Sequence, residues 1–165
     1  MLFHESQYLR NKYVISLIAI PIIFLSIVLY TSRNEPWAVV ILSFAILFSS
    51  TIAYLILKLR MDINEIENGI KVSVSFFFRQ NILLNWNEID SITIKKTNIL
   101  RNFGGWGIRY TRNTTGFIFS GTNVASIKTK SGRNFSFTIT KVNEFSSMLT
   151  LKHNLSVIVD NVSYT

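Results

Sequence analysis

The hydrophobic pattern of the chain changes character once, near residue 60. Before that point it consists of two long apolar runs. "YVISLIAIPIIFLSIVLY" spans Tyr13 to Tyr30 and "WAVVILSFAILFSSTIAYLIL" spans Trp37 to Leu57, and neither contains a charged residue. At 1.5 Å per residue, helices of these lengths reach about 27 and about 31 Å, enough for a hydrocarbon core of about 30 Å. Tyr13, Tyr30 and Trp37 fall at the ends, where amphipathic rings favour the headgroup region. The connection "TSRNEP" is too short for anything but an antiparallel return, so a transmembrane hairpin is predicted. A cleaved signal peptide fits poorly. The first run exceeds a signal's apolar core, and no small-x-small site follows it. Pro21 removes a backbone donor and predicts a kink. Ser26, Ser43, Ser49, Ser50 and Thr51 are expected to pack helix against helix rather than to line a transport path. The usual mark of an ion pathway, a charge within the span, is missing.

From Met61 onward the period falls to two. "IKVSVSFFF" alternates Ile70, Val72, Val74, Phe76 and Phe78 with Lys71, Ser73, Ser75 and Phe77, the mark of a half-buried strand. "SITIKK" repeats this with Ile92 and Ile94, and "RNFSFTIT" with Phe135, Phe137 and Ile139. Further strands are predicted at Leu59–Asn64, Ile82–Trp86, Gly107–Thr111, Thr115–Ser120 and Val124–Thr129. "ENG" (67–69) and "KSG" (130–132) read as hairpin turns in which glycine supplies a positive φ. One helix follows: "TKVNEFSSMLTLKHN" places Val142, Phe145, Met148 and Leu149 on one face, with Thr140 as the expected cap. The tail "LSVIVDNVSYT" reads either as a further strand or as a partner-binding segment. Seven or eight short strands before one amphipathic helix predict an α+β chain whose β part is a sandwich or barrel.

Charge adds an orientation. The chain carries a formal +8, with 17 Lys and Arg against 9 Asp and Glu. Arg10 and Lys12 precede the first span, Lys58 and Arg60 follow the second, and the loop has only Arg33, near Glu35. This bias puts both termini in the cytoplasm and the loop outside. The chain has no cysteine, which excludes disulfides, thiolate metal sites and cysteine nucleophiles.

Little in the sequence points to catalysis. His4 lies in a polar N-terminal stretch expected to lack regular structure, and His153 lies near the end of the helix. Glu88 and Asp90 share a strand face by the period of two, but such a pair is usually a solvated surface. No nucleophile elbow, HExxH or Walker motif is present. No catalytic residue, cofactor or metal is therefore expected. The run "FGGWGIRYTR" (103–112) surrounds Trp106 with Gly104, Gly105 and Gly107. A phosphate cradle would open a helix and carry Lys-Ser/Thr, whereas "IRYTR" is strand-like. The glycines are therefore expected to mark a sharp bend at a barrel corner, with Trp106 packing across their missing side chains. Lys95, Lys96, Arg101, Arg109 and Arg112 surround this turn in sequence. With Lys58 and Arg60 they form a candidate surface for anionic lipid or for a protein partner, each cation gaining on the order of 1 kcal/mol beside an anionic leaflet. Phe76 to Phe78 lie beside Arg79, but alternation assigns two of the three rings to the core. A membrane-tethered domain is a poor reader of nucleic acid, so none is expected.

A two-helix hairpin followed by "LNWNEIDSITI", "FGGWGIRYTRNTTGFIFSGTNVASIKTKSGRNFSFTIT" and "KVNEF" resembles the bacterial PH-like membrane proteins. The likeness rests on a pattern "i-W-x-e-I" at Ile82 to Ile89, on "G-G-W-G-I-R" at Gly104 to Arg109, and on a glycine-punctuated strand pair from Val124 to Ile139. It covers about residues 10–152. The proline that often precedes the glutamate at the start of the family's final helix is absent here, where Asn143 stands before Glu144. The resemblance implies a strongly bent antiparallel sheet of about seven strands closed at one corner by a C-terminal helix, and it brings no catalytic activity. Phosphoinositide-binding relatives use lysines in the first strand connection, and the matching stretch here, "NEIENG", is acidic. The expected division is a cytoplasmic flank (1–12), a membrane hairpin (13–57, helices 13–30 and 37–57), a PH-like cytoplasmic domain (58–152) and a tail (153–165). The expected role is a non-catalytic interaction or assembly subunit at the bacterial inner membrane, contacting lipid and either a protein partner or further copies of itself. The alternative is a sensor of anionic lipid headgroups.

Overall fold

A computed structural model describes residues 2–9, 12–75, 79–110, 113–152 and 157–160. The chain forms two compact units, one of residues 9–59 and one of residues 1–8 with 60–165. The first unit is the helical pair α1 (Lys12–Thr31) and α2 (Pro36–Leu57). Both helices are long and apolar enough to cross a membrane. α1 is a continuous helix that contains Pro21. Rows of half-buried residues, with Ala53 fully buried, mark where the helices meet. Val14, Ile18, Ile22, Leu25 and Leu29 form one row, and Leu42, Ala45, Ser49, Ala53 and Ile56 the other. The small residues of α2 permit close approach. Ser49 and Ser50 fit that role, but Ser26, Ser43 and Thr51 are exposed. Ser26 and Thr51 instead donate to the carbonyls of Ile22 and Leu47 one turn back, which satisfies a hydroxyl inside an apolar stretch. Large side chains such as Leu17 and Phe44 face outward.

The second unit is a mixed α+β body. One sheet holds β1 (His4–Tyr8), β2 (Arg60–Ile66), β3 (Gly69–Ser75) and β4 (Arg79–Asn85), in that order and antiparallel throughout. A turn of 3-10 helix at Trp86–Glu88 then launches β5 (Ile89–Lys96) into a second sheet. A short helix α3 (Ile99–Phe103) follows. The strands β6 (Gly107–Tyr110), β7 (Thr114–Ile118), β8 (Asn123–Thr129) and β9 (Asn134–Thr138) come next, then helix α4 (Val142–Ser147) and strand β10 (Val157–Asp160). The second sheet is ordered β10-β5-β8-β9-β7-β6, with parallel pairs at β10–β5 and β7–β9.

This corrects the expectation of one antiparallel sheet or barrel of about seven strands. The described residues form ten strands in two sheets, with no closed barrel. β4 and β5 do not pair, so the meander changes sheet at Trp86. The alternating residues lie where their period puts them. Ile70, Val72, Val74, Ile92, Ile94, Phe135 and Phe137 are buried, and Phe76 to Phe78 lie outside the described residues. β9 is buried on both faces, because Ser136 and Thr138 are covered as well. Asp90 is not a face partner of Glu88. It is the extra residue of a bulge against β8, and it faces Lys128 at 3.8 Å in solvent.

Two further expectations fail for local reasons. Gly69 does not supply a positive φ. It closes a tight β2–β3 hairpin under β4, where an added Cβ would lie 2.0 Å from the Leu84 carbonyl oxygen. Gly132 does adopt the left-handed conformation, at φ 81°. Thr140 does not cap α4 either. The helix starts at Val142 after Lys141 with no side-chain cap, and the two residues before it are held by Glu5 from β1. The Glu5 carboxylate accepts from Thr140 N (2.8 Å), Thr140 Oγ1 (2.7 Å) and Lys141 N (3.0 Å). It also accepts from the Gln7 amide. Gln7 in turn donates to the Thr138 carbonyl (2.7 Å) and accepts from Ser120 N and Thr138 Oγ1. Phe3 adds an edge-to-face contact with Phe145 at 5.1 Å, and Phe145 meets Phe137 at 6.0 Å. The N-terminal stretch expected to be irregular is thus a strand that joins both sheets and α4. α4 continues past Ser147 as a π-helical turn over Met148–Lys152.

Glu5 is buried with four donors aimed at it, so Glu5→Ala strands backbone N–H groups away from water. Loss of about 2–4 kcal/mol is expected on chemical denaturation followed by tryptophan emission. Asp90→Ala, which removes an exposed ion pair, is expected to change stability by less than about 0.5 kcal/mol. Equal losses in the two variants would remove Glu5 from its role as the clamp.

Candidate functional site

The glycine turn is a helix stop rather than a barrel corner. Asn98 caps α3 by accepting from Arg101 N at 3.2 Å. Gly104 ends it in the left-handed conformation, φ 67°, with Gly104 N bonded to Leu100 O and Gly105 N to Ile99 O. Gly105 (φ 117°) and Gly107 (φ 109°) then carry the chain into β6. With Phe103, Trp106 packs on Ile99, Ile118 and Val124, a small second core under α3. The freedom around that ring therefore lets a five-residue helix end, reverse and deliver Trp106 to its own cluster.

Arg109 belongs to this construction. Its Nη2 donates to the Trp106 carbonyl at 2.8 Å, and the guanidinium lies close over Gly105. Its Nε is buried and has no hydrogen-bond partner among the described residues. The seven basic residues singled out from the sequence fall into distinct settings. Lys95 and Lys96 are exposed at the end of β5, and Arg101 is exposed on α3. Arg112 lies outside the described residues. Lys58 follows α2 in the helical unit, with its ammonium over the Tyr54 ring at 5.4 Å. Arg60 opens β2 in the other unit and is already engaged. It bonds to Asp62 at 2.7 Å and to Ser6 Oγ at 3.1 Å, and it stacks over Tyr8 at 5.8 Å. The hydrogen bond to Asp62, and then that carboxylate's charge, hold the Arg60 guanidinium still more firmly protonated than usual.

Beside the glycine turn the second sheet carries a groove of about 450 Å³. Strand register builds its floor. Ser126 on β8 sits opposite Ser136 on β9, Ser136 opposite Gly116 on β7, and Gly116 opposite Arg109 on β6. The two serine hydroxyls are 3.0 Å apart. Phe103 forms a wall above Gly116, where an added Cβ would lie 3.7 Å from its ring. Lys95 lines the groove from β5. Among the described residues its lining contains hydroxyls, an amide, an aromatic ring and two cations, and no carboxylate. Such a surface receives a negative charge and hydrogen-bonds a polar body, and it offers no general base or nucleophile pair. Ser126, Ser136 and Gly116 were not singled out from the sequence. Each is a small residue with no chemical signal of its own in the sequence, and only the register aligns them.

Among the described residues, no three His, Asp or Glu side chains come together to hold a metal ion. His4 is bonded to Asn64 Oδ1 at 2.6 Å on the β1–β2 pair. No family model, curated protein or solved structure matches the chain.

Gly104→Ala forces a Cβ into the left-handed region and is expected to cost about 1–2 kcal/mol, with a red shift of Trp106 emission as its cluster loosens. Gly116→Ala has ordinary φ and only van der Waals neighbours, at 3.5–3.7 Å. It is expected to stay within about 0.5 kcal/mol of the parent. Denaturation midpoints of the two variants check both figures.

Proposed function

We propose that the chain is a non-catalytic interaction or assembly subunit of the bacterial PH-like kind. In this reading its helical pair lies in the inner membrane and its strand-rich unit faces the cytoplasm. The observation that carries it is where the helical pair enters the fold. α1 and α2 are inserted between β1 and β2, which pair from His4↔Asn64 to Tyr8↔Arg60. The chain therefore leaves the folded unit and returns to it at adjacent strand ends. That connectivity supports a hairpin that crosses the membrane and comes back, with both flanks on one side. The positive bias of those flanks supports the cytoplasmic side.

The partner surface in this reading is a sheet edge. Among the described residues β10 pairs with β5 alone, with Ile158 and Val159 exposed, so in this reading a strand from a partner adds to its other edge. Membrane lipid surrounds the outward apolar side chains of α1 and α2. A second reading, an anionic-lipid sensor, is favoured by Lys95, Lys96 and Arg101. All three are exposed, and none forms an ion pair among the described residues.

The absence of cysteine makes the orientation directly testable. Arg33→Cys in the helix connection is expected to react with an impermeant maleimide in intact cells. Lys130→Cys in the β8–β9 turn is expected to react only after the cells are opened. The opposite pattern would reverse the orientation. The role itself is tested by co-purification from native membranes in mild detergent, comparing wild type with Ile158→Asp/Val159→Asp. A stoichiometric partner lost from the variant supports edge docking, and a partner retained by both overturns it. Anionic lipid released by high salt, with no protein partner in either sample, supports the second reading.

A further inference from the structure

We propose that the groove across the six-stranded sheet binds a small hydroxylated oxyanion, with a polyol phosphate as its ligand class. This goes beyond the assembly reading and does not depend on it.

Charge is the first ground. Lys95 and Arg109 are the groove's charged residues, and neither forms an ion pair among the described residues. A partly buried cation without a counter-charge favours an anion brought from outside. Hydrogen bonding is the second ground. Arg109 is fixed by bonds from its Nη2 to the Trp106 and Gly104 carbonyls, and its buried Nε has no partner among the described residues. A guanidinium held in place at the groove is suited to a phosphate oxygen.

The floor specifies the rest of the ligand. Ser126 and Ser136 form a hydroxyl pair along the groove, and Thr114 lies on the same lining. Hydroxyls both donate and accept, which matches a row of ligand hydroxyls better than a planar apolar body. Gly116 keeps the floor low between Ser136 and Arg109. The Phe103 ring closes that end from above, where carbon–hydrogen faces of a polyol can pack. Lys95 and Arg109 stand on β5 and β6, four strand steps apart, or about 19 Å between backbones. The ligand is therefore elongated, with its phosphate at Arg109 and its other end toward Lys95. A volume of about 450 Å³ lies in the range of small-molecule sites.

Such a group comes either from a free polyol phosphate or from the head of a glycerophospholipid. The experiment uses the full chain in neutral detergent, with sorbitol 6-phosphate as the probe. Sorbitol and inorganic phosphate serve as comparators, with calorimetry and amide shifts of Gly116 and Ser136 as readouts. Saturable binding is expected, at least about tenfold weaker for sorbitol or for phosphate alone. Arg109→Gln is expected to weaken it about tenfold or more, and Lys95→Gln severalfold. Lys95 is exposed, so its variant keeps the fold whatever Arg109→Gln does to the turn. Arg133→Gln, outside the groove, is expected to bind like wild type. Displacement of the probe by dihexanoyl phosphatidylglycerol but not by dihexanoyl phosphatidylcholine would identify a lipid headgroup as the source. Displacement by neither would identify a free phosphate. No saturable binding by wild type, or equal binding by wild type and Lys95→Gln with no shift at Gly116 and Ser136, overturns the proposal.

Discussion

The strand-rich unit depends on one buried carboxylate. Glu5 comes from an edge strand of the first sheet and accepts from Thr140 and Lys141, the residues that lead into α4, with Gln7 beside it bonded to the end of β9. Buried backbone amides need acceptors, and a carboxylate is a strong one. Here the acceptor arrives from more than a hundred residues away, at Thr140 and Lys141. That choice draws the two sheets and the helix together through one side chain. Phe3, on the same N-terminal segment, meets Phe145 of that helix edge to face.

The sequence states the apolar parts of this fold clearly and the polar joints hardly at all. The two helices are legible because some twenty consecutive apolar residues admit few other structures. The central strands are legible because Ile70, Val72, Val74, Ile92 and Ile94 alternate with polar neighbours. β1 is not legible, because its inward residues are Glu5 and Gln7 and its pattern therefore reads as solvent-exposed. Gly69 looks like an ordinary turn glycine until β4 is placed over it. α3 is too short for a helical period to register, and its only local signals are Asn98 and Gly104. The parallel pairs β7–β9 and β10–β5 come from long-range pairing that no local pattern encodes.

The candidate site shows the same division. Composition identified the cations around the glycine turn but could not sort them. Structure separates Arg60, engaged with Asp62, from Lys95, Lys96 and Arg101, which are exposed. It also gives Arg109 two tasks, holding the Trp106 carbonyl and facing the groove. The groove is a product of register. Ser126, Ser136, Gly116 and Arg109 come from four strands that stand in the sheet in a different order from the one in which they were made.

The placement of α1 and α2 between β1 and β2 has a consequence for biosynthesis. β1 is made before α1 and α2, yet its partner β2 follows only after both helices. The Glu5 contacts come later still, since Glu5 must wait for Thr140 and Lys141. If only one of the two helices crossed the bilayer, β1 and β2 would be stranded on opposite sides. The sheet would then lack its edge, and Thr140 and Lys141 their acceptor. In the proposed membrane reading, completion of the fold therefore depends on how the two helices were threaded.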